Sequence, residues 1–217
     1  TYGLAEATLL VSGGAVHKPP VYISVDRLAL EQNHVQPPAT PGAARVVVGC
    51  GQPMPGHEIV IADPATLARC APDRVGEIWL AGPSVAQGYW NRPEETQRTF
   101  RAYLKDTGEG PFLRTGDLGF MQDGELFITG RLKDLIIIRG LNHYPQDIEQ
   151  TVGKAHPRLR PGNGAAFVVE IGGTERLVVV QEIERRQQRE LDGVFEAIRR
   201  DVAAEHELQV EAIALVK

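Results

Sequence analysis

Short apolar, β-branched runs separated by Gly and Pro fill the chain from Thr1 to Arg131. This pattern is typical of strands joined by turns. It predicts strands at residues 9–12, 45–48, 58–61, 77–80 and 125–129. Asp123 and Gly124 supply a hairpin-turn signal just before the last of these strands. We therefore expect a β-rich, barrel-like region in this part of the chain.

A proline-rich stretch between residues 13 and 44 interrupts the strand pattern. Its prolines stand at positions 19, 20, 37, 38 and 41, around a single predicted helical turn at residues 25–30. Long connections of this kind are usually insertions into a fold. The stretch is therefore interpreted as an inserted excursion and not as a core element.

Longer elements follow Arg131. The periodicity predicts strands at residues 135–138, 165–171, 177–183 and 210–216, and helices at residues 145–155 and 191–207. Gly172 and Gly173 mark a tight turn between the second and third of these strands. The order β, α, β, β, α, β describes a small two-layer α+β domain.

Composition narrows the class of protein. The chain has 217 residues and a formal net charge of -5, which argues against a basic nucleic-acid binder. No apolar run approaches the roughly 20 residues of a membrane-spanning helix. Cys50 and Cys70 are too few for a disulfide framework and lack metal-ligand spacing, which favours a reducing cytoplasm and argues against structural zinc.

Two carboxylates are candidates for ligand binding. Glu6 follows a Tyr-Gly pair in TYGLAEATLLVSG, where a backbone can approach a flat ligand closely and a carboxylate can hold a hard cation such as magnesium. The alternative is a solvated Glu at a strand end. Asp117 follows a Thr-Gly turn in FLRTGDLGF and could accept two hydrogen bonds from a sugar diol. The alternative is an ordinary surface turn.

Aromatic and charged residues mark two further segments. In GPSVAQGYWNRPEETQRTF, Trp90 is expected to fill a core beside the Pro turn. The pattern changes from short strand-like runs to longer elements at Arg131, Lys133 and Asp134. A connection between two domains would lie at such a change. A short polar connection can act as a hinge. A hairpin with solvated charges is the other interpretation.

Four motifs in this order resemble a known family: YGLAE, GYWNRPEET, RTGDLG and GRLKDLIIIRG. Together they resemble the adenylate-forming superfamily of acyl and aryl ligases, luciferases and adenylation domains. The segment TYGLAEATLLVSG with the Pro-rich insertion after it, and RGLNHYPQDIE, resemble the fatty acyl-AMP ligase branch. The resemblance covers nearly the whole chain.

The resemblance implies an α+β fold in two parts. Residues 1–132 would be the C-terminal, β-rich, barrel-like end of a large adenylation domain, with the insertion near residues 14–44. Residues 133–217 would be most of a small mobile C-terminal domain, incomplete at its end. Enzymes of this branch use ATP and Mg²⁺ to convert a fatty acid into an acyl adenylate. They then pass the acyl group to the phosphopantetheine thiol of an acyl carrier protein.

The same resemblance implies roles for individual residues. Glu6 would help bind Mg²⁺, and Tyr2 and Gly3 would lie along the adenine and α-phosphate side of the pocket. Asp117 would hold the ribose hydroxyls, and Arg131 would contact the ribose or phosphate. Because the chemistry is in-line attack at the α-phosphate, these residues would act by positioning and charge stabilisation.

Residues near the predicted domain connection match the hinge and the small mobile domain of the family's enzymes. Lys133 matches the hinge position between adenylation and thiol transfer, and Gly140 would lie near the pantetheine path. Ala5 stands where many superfamily members have Thr, and the fatty acyl-AMP ligases tend to share this Ala. His143 is expected to have a surface or loop role, and residues 184–190 are interpreted as a solvated connector or, alternatively, a patch for an acidic carrier protein.

Two alternatives to a fatty acyl-AMP ligase remain open. The first alternative is another enzyme, a fatty acyl-coenzyme A synthetase. Product analysis would distinguish it from a fatty acyl-AMP ligase. The second alternative is not an enzyme but a non-catalytic module that binds nucleotide or a carrier protein without turnover.

The 217-residue chain by itself is predicted not to form acyl adenylate at a useful rate. It opens at Thr1 without Met, and it contains neither the Gly/Ser/Thr-rich phosphate loop nor a Gly-Lys motif near its end, so we expect it to be a piece of a longer polypeptide. The measurement is ATP-dependent pyrophosphate release by the purified chain with fatty acids. Robust release would contradict the prediction.

Overall fold

The computed structural model describes residues 1–184 and 193–217. The chain divides into two compact units, Thr1–Lys133 and Asp134–Lys217. Each unit contains a buried apolar core of its own. Residues 185–190 of the charged stretch, and the first two residues of the helix predicted at 191–207, lie outside the described residues.

The first unit is built mainly of strands. After a 3₁₀ turn at Ala5–Ala7, its helices and strands are, in chain order, β1 (Ser12–Gly13), β2 (Tyr22–Asp26), α1 (Arg27–Glu31), β3 (Ala44–Val48), β4 (Gln52–Pro53), β5 (Glu58–Ala62), β6 (Gly76–Ala81), α2 (Pro93–Phe100), β7 (Leu113–Gln122) and β8 (Glu125–Arg131), with a second 3₁₀ turn at Pro41–Ala43 before β3.

An antiparallel four-stranded sheet in the order β5-β6-β7-β8 forms the centre of this unit. Strand β6 is buried along almost its whole length. Side chains alternate between the two faces of a strand. Ile78 and Leu80 therefore pack in one apolar cluster, while Trp79 packs in another with Val60 and Phe112. Because both faces are covered, the sequence of β6 is a nearly continuous apolar run.

The predicted turn between β7 and β8 is confirmed. Gln122 pairs with Glu125, so Asp123 and Gly124 are the two loop residues of a hairpin. Their φ angles are 52° and 78°. Two positive φ values suit the twist of a two-residue hairpin, and Asp-Gly adopts them readily.

The predicted α+β character is confirmed, but the strands of residues 1–133 do not close into a barrel. They form the open four-stranded sheet and the short pairs β1-β4 and β2-β3. Closure would need the two outer strands of the sheet to pair with each other. Strand β8 is met instead by residues 49–51, through a bridge from Gly49 to Phe127 and a 2.7 Å hydrogen bond from Cys50 N to Leu126 O.

The strand predicted at residues 9–12 is largely wrong, because only Ser12 of that stretch lies in a strand, β1. Thr8 and Leu9 have φ angles of 54° and 86°. These left-handed conformations turn the chain back, and Leu9 N donates to Leu4 O at 3.0 Å. The apolar run is therefore part of a compact turn that begins the unit.

The proline-rich insertion contains one strand, β2, that the sequence pattern did not predict, and it pairs with the predicted strand at residues 45–48. Strands β2 and β3 pair antiparallel over five residues each, from Tyr22↔Val48 to Asp26↔Ala44. The predicted helical turn is confirmed as α1. Asp26 caps this helix, since its Oδ1 accepts from Ala29 N at 2.9 Å.

The second unit alternates strands and helices. Its elements are β9 (Ile136–Ile138), β10 (Leu141–His143), α3 (Pro145–Ala155), β11 (Leu159–Ile171), β12 (Thr174–Ile183), α4 (Val194–His206) and β13 (Val210–Val216). The bounds of α3 and β13 are the predicted ones. Strand β10, which pairs with β9 across a turn at Arg139 and Gly140, was not predicted.

One face of a three-stranded sheet carries the core of this unit. Strand β12 pairs antiparallel with β11 and parallel with β13. Leu177 and Val179 of β12 share one buried cluster with Ile148 of α3 and Ile198 of α4. The predicted Gly-Gly turn joins β11 to β12, because Ile171 pairs with Thr174. Among the described residues, no helix is long and apolar enough to span a membrane.

Replacing Ile148 by Ala is predicted to destabilise the protein by about 3 kcal/mol, because Ile148 is fully buried and the smaller side chain leaves a cavity. Ile171 is the matched control, since the same substitution at a side chain 54% exposed should cost well under about 1 kcal/mol. Urea unfolding of both variants measures the difference. Equal losses of stability would show that the core has been assigned wrongly.

Candidate nucleotide site

Three residues predicted for the site lie together in the first unit: Tyr2, Asp117 and Arg131. The hydroxyl of Tyr2 donates to Asp117 Oδ2 at 2.6 Å. Arg131 Nε lies 3.0 Å from Asp117 Oδ1. Asp117 and Arg131 are directly paired across β7 and β8, and Tyr2 reaches them from the start of the chain. The structure thus assembles one carboxylate with two different donors.

The Asp117 carboxylate keeps capacity for further hydrogen bonds. A carboxylate has about four lone-pair positions, and Tyr2 and Arg131 each use one. The Asp117 side chain is 16% exposed and that of Arg131 is 61% exposed. Burial, helped by the hydrogen bond to Asp117, raises the pKa of the Tyr2 hydroxyl, so Tyr2 remains a donor. The group can therefore accept two more donors from a ligand.

Asp117 lies within strand β7 and not on the surface turn that the sequence suggested. The pairing of β6 with β7 shifts here: Glu77 pairs with Leu118, but Trp79 pairs with Arg114. Three residues of β7 thus stand opposite one residue of β6, which is a β-bulge. Gly116 lies in the bulge with a φ of 72°. The glycine allows the left-handed conformation that the bulge requires.

A buried carboxylate on β6 holds this bulge in place. Glu77 Oε2 accepts from Arg114 Nη2 at 2.7 Å and from Trp79 Nε1 at 2.9 Å, while Glu77 Oε1 accepts from Gly116 N at 3.2 Å. The guanidinium of Arg114 also lies over the Trp79 ring, 5.5 Å from its centroid. Sequence reasoning missed this network. The only signal was a charged residue inside an otherwise apolar strand.

Glu6 lies on the 3₁₀ turn near the start of the chain and is bound to a different partner. Its Oε1 accepts from the hydroxyl of Tyr89 at 2.8 Å. Removal from water, and the hydrogen bond to Glu6, raise the pKa of Tyr89 to about 12, so the hydroxyl is a donor at neutral pH. Glu6 therefore lies on a 3₁₀ turn and not at the strand end of the alternative interpretation, and its half-exposed carboxylate has a defined partner.

Gly3 allows the turn that carries Glu6 to close on itself. A Cβ at this position would lie 1.5 Å from the carbonyl oxygen of Leu9. Every other residue would clash with the backbone there. This close approach is a structural reason for glycine, while the predicted contact of Gly3 with a nucleotide remains a prediction.

The expectation that Trp90 fills a core is wrong. Its side chain is 90% exposed, whereas that of the neighbouring Tyr89 is 36% exposed and contacts Phe100. The ring of Tyr89 stands edge-on against Phe100, with 5.0 Å between the ring centroids. Asn91 has a φ of 54° and turns the chain into α2 just after Trp90. The size of an aromatic side chain therefore did not predict which residue of the Tyr89–Trp90 pair packs against the protein.

The residues predicted for the hinge and the pantetheine path are both exposed. Lys133 is the last residue of the first unit. Gly140 belongs to the second unit, in the two-residue turn between β9 and β10, with a φ of 78°. Arg139 beside it has a φ of 55°. Their predicted roles remain predictions.

The donor set at Glu6 fits a magnesium ion that a nucleotide brings with it. Within residues 1–184 and 193–217, no group of three or more His, Cys, Asp or Glu side chains could hold a metal ion. Magnesium, however, keeps several waters and is commonly bound by one or two carboxylates together with phosphate oxygens of a substrate. A single half-buried carboxylate suits that arrangement.

Other candidate residues have structural roles. His143 is buried in β10, so the expected surface or loop role is wrong. Cys50 and Cys70 are free thiols packed against the core of the first unit. Burial raises the pKa of the Cys50 thiol, and that of the Cys70 thiol to about 11. Both thiols are therefore poor nucleophiles at neutral pH.

Comparisons with known proteins identify the class. Residues 1–90 match the model of the AMP-binding enzyme family, and residues 133–217 match that of the AMP domain of Disco-interacting protein 2-like proteins. Over most of its length the chain is therefore similar to AMP-binding, adenylate-forming enzymes.

Within that class, similar proteins are fatty-acid ligases by name. Over its whole length the chain is 56% identical to the medium-chain-fatty-acid–[acyl-carrier-protein] ligase JamA of Moorena producens (strain JHB), and it spans 37% of the length of that protein. A solved structure of fatty acyl-adenylate ligases from E. coli and L. pneumophila has 34% identity and a TM-score of 0.83, over 99% of this chain and 37% of that one. A fatty acyl-adenylate ligase from L. pneumophila, solved with acyl adenylate and pyrophosphate, has 42% identity and a TM-score of 0.60, over 99% of this chain and 38% of its own.

Replacing Glu77 by Gln is predicted to destabilise the protein by about 2–3 kcal/mol. Breaking a fully buried ion pair costs about 3–5 kcal/mol, and the Arg114 side chain is 28% exposed, which reduces the loss. The matched control is Glu109→Gln, which removes an exposed ion pair with Arg69 and should cost less than about 1 kcal/mol. Urea unfolding compares the two. A loss at Glu77 no larger than at Glu109 would contradict the network.

Proposed function

We propose that this chain is part of an enzyme that activates a fatty acid with ATP to an acyl adenylate and transfers the acyl group to the phosphopantetheine thiol of an acyl carrier protein. The observation that carries the proposal is the Asp117 carboxylate, held by Tyr2 and Arg131 in a chain whose two units both match AMP-binding families. The name of JamA supports the carrier protein as acceptor.

In this proposal Asp117 binds the ribose of the nucleotide. The two hydroxyls of a ribose are adjacent donors, and the carboxylate has two lone-pair positions left after Tyr2 and Arg131 have used theirs. Hydrogen bonds to a charged acceptor are roughly twice as strong as neutral ones. Tyr2 fixes the carboxylate by its short hydrogen bond. The exposed guanidinium of Arg131 is available to contact the ribose or a phosphate.

Glu6 is proposed to bind the Mg²⁺ that accompanies ATP. The ion would neutralise phosphate charge as the fatty carboxylate attacks and pyrophosphate leaves. The backbone of Tyr2 and Gly3 would line the adenine and α-phosphate side of the pocket. The half-exposed position of Glu6 supports this role.

Residues 1–132 are proposed to be the end of a large adenylation domain, and residues 133–217 to be most of a small mobile domain. Lys133 would be the hinge residue, and Gly140 would lie near the path of the pantetheine arm. An exposed lysine at the end of a compact unit can change its backbone angles without breaking a core. The exposed Gly140, with no atom within 4 Å of a Cβ built on it, supports room for a narrow thiol-bearing arm.

A cytoplasmic location is also part of the proposal. The two cysteines are free, although each is partly buried and neither is bonded to the other. Free thiols are usual in reducing compartments, whereas disulfides persist in oxidising ones.

Product analysis tests the proposed reaction in the complete natural polypeptide that carries this sequence. With ATP, Mg²⁺ and a fatty acid, and with coenzyme A and holo acyl carrier protein offered together, we expect acyl-carrier protein as the main product. Asp117→Asn should lower its rate of formation about 10-fold or more, because charged hydrogen bonds to the ribose are lost.

Asp123→Asn in the β7–β8 turn is the matched control and should leave the rate unchanged, since Asn also adopts a positive φ readily. Preferential formation of acyl-coenzyme A would replace the proposal by a coenzyme A synthetase. Nucleotide binding with no acyl product would indicate a non-catalytic module.

A further inference from the structure

The loop at residues 82–89 is fastened to the turn that carries Glu6 at three points. The Tyr89 hydroxyl donates to Glu6 Oε1 at 2.8 Å. Ala86 N donates to the backbone oxygen of Glu6 at 2.8 Å, and Thr8 Oγ1 donates to Ser84 O, also at 2.8 Å. The loop therefore holds both the backbone and the side chain of Glu6.

Helix α2 holds Tyr89 from the other side. Tyr89 N donates to Thr96 Oγ1 at 2.9 Å, and the Tyr89 ring meets Phe100 at an interplanar angle of 80°. Phe100 is buried in the core of the first unit. A Cβ on Gly88 would lie 2.2 Å from the Thr96 side chain, so this approach requires glycine. The backbone of Tyr89 is thus held by Thr96, and its ring, whose side chain is 36% exposed, rests on one side against Phe100; neither contact involves Glu6.

The loop has one more anchor at its beginning. His57 Nε2 lies 2.6 Å from Ser84 Oγ. A Cβ on Gly82 would lie 2.4 Å from the His57 ring, so the ring packs directly over this glycine. The loop is therefore supported at both ends by the body of the unit.

We propose that Tyr89 is a positioning residue that orients the Glu6 carboxylate toward the metal of a bound magnesium–nucleotide complex. The inference rests on the proposed function. The Tyr89 hydroxyl takes a lone pair of Oε1, which leaves the lone pairs of Oε2 for a metal. Because the ring is fixed by α2, the hydroxyl limits rotation of the carboxylate.

The physical basis is the loss of freedom that binding would otherwise require. A glutamate side chain loses conformational entropy when it is immobilised. If Tyr89 has already fixed Glu6 in the free protein, less of that loss remains at the time of metal binding. Hydrogen-bonding partners of metal ligands typically change metal affinity by about 10–100-fold when they are removed.

Tyr89→Phe in the complete natural polypeptide tests the inference, because it removes the hydroxyl and keeps the ring on Phe100. The measurement is binding of Mn²⁺, as a spectroscopic substitute for Mg²⁺, to the protein with ATP, followed by electron paramagnetic resonance. We expect about 10-fold weaker Mn²⁺ binding. We also expect an unchanged KM for the fatty acid and an unchanged thermal midpoint.

Three variants interpret the result. Tyr103→Phe, at a tyrosine 51% exposed in the same unit, should not change Mn²⁺ binding. Phe100→Leu loosens the packing of the Tyr89 ring and keeps the hydroxyl, so it should lower the thermal midpoint and weaken Mn²⁺ binding less than Tyr89→Phe does. Glu6→Gln should weaken Mn²⁺ binding at least as much as Tyr89→Phe.

The outcomes distinguish the positioning role of Tyr89 from the proposed magnesium-binding role of Glu6. If Glu6→Gln weakens Mn²⁺ binding and Tyr89→Phe does not, the positioning role is overturned and the role of Glu6 stands. If Phe100→Leu weakens binding while Tyr89→Phe does not, packing and not the hydroxyl is responsible, which also overturns it. If Glu6→Gln leaves binding unchanged, the proposed magnesium role of Glu6 fails, and the inference fails with it.

Discussion

The ion pair between Glu77 and Arg114 determines the geometry on which the candidate site depends. Both groups lie on the central strands of the first unit, and Glu77 also accepts from the backbone of Gly116. A buried carboxylate without these donors would be very unfavourable, so the strands are held in the one register that satisfies it. That register includes the bulge before Asp117. Glu77 on the neighbouring strand β6 therefore determines the direction of the Asp117 side chain.

The sequence predicted the elements whose signals are local. The Asp123–Gly124 turn, the helix Pro145–Ala155 and the strand Val210–Val216 are each specified by their own residues. It failed where distant residues decide the outcome. The bulge at Gly116 depends on a carboxylate 39 positions earlier in the chain, and the hairpin of β2 depends on pairing with β3 across the proline-rich segment. The barrel-like arrangement was also wrong, because whether the outer strands of a sheet pair with each other is not encoded in the individual strands.

Individual site residues show the same division. Sequence motifs identified Tyr2, Asp117 and Arg131, which lie together although Tyr2 is 115 positions from Asp117. They did not identify Tyr89, because an aromatic pair does not indicate which ring makes tertiary contacts. The larger residue, Trp90, is in solvent, since the contacts of Tyr89 with α2 leave the next side chain outside. Side-chain direction within a loop follows from tertiary contacts that no local pattern encodes.

The two tryptophans occupy opposite environments, and this has an optical consequence. Trp79 is fully buried next to Glu77, whereas the Trp90 indole is almost completely in water beside Tyr89. A soluble quencher can collide with Trp90 and not with Trp79. The quenchable part of the intrinsic fluorescence therefore reports on the loop that holds Glu6, and the protected part reports on the strand that aims Asp117. The protein carries a separate natural probe beside each half of its candidate site.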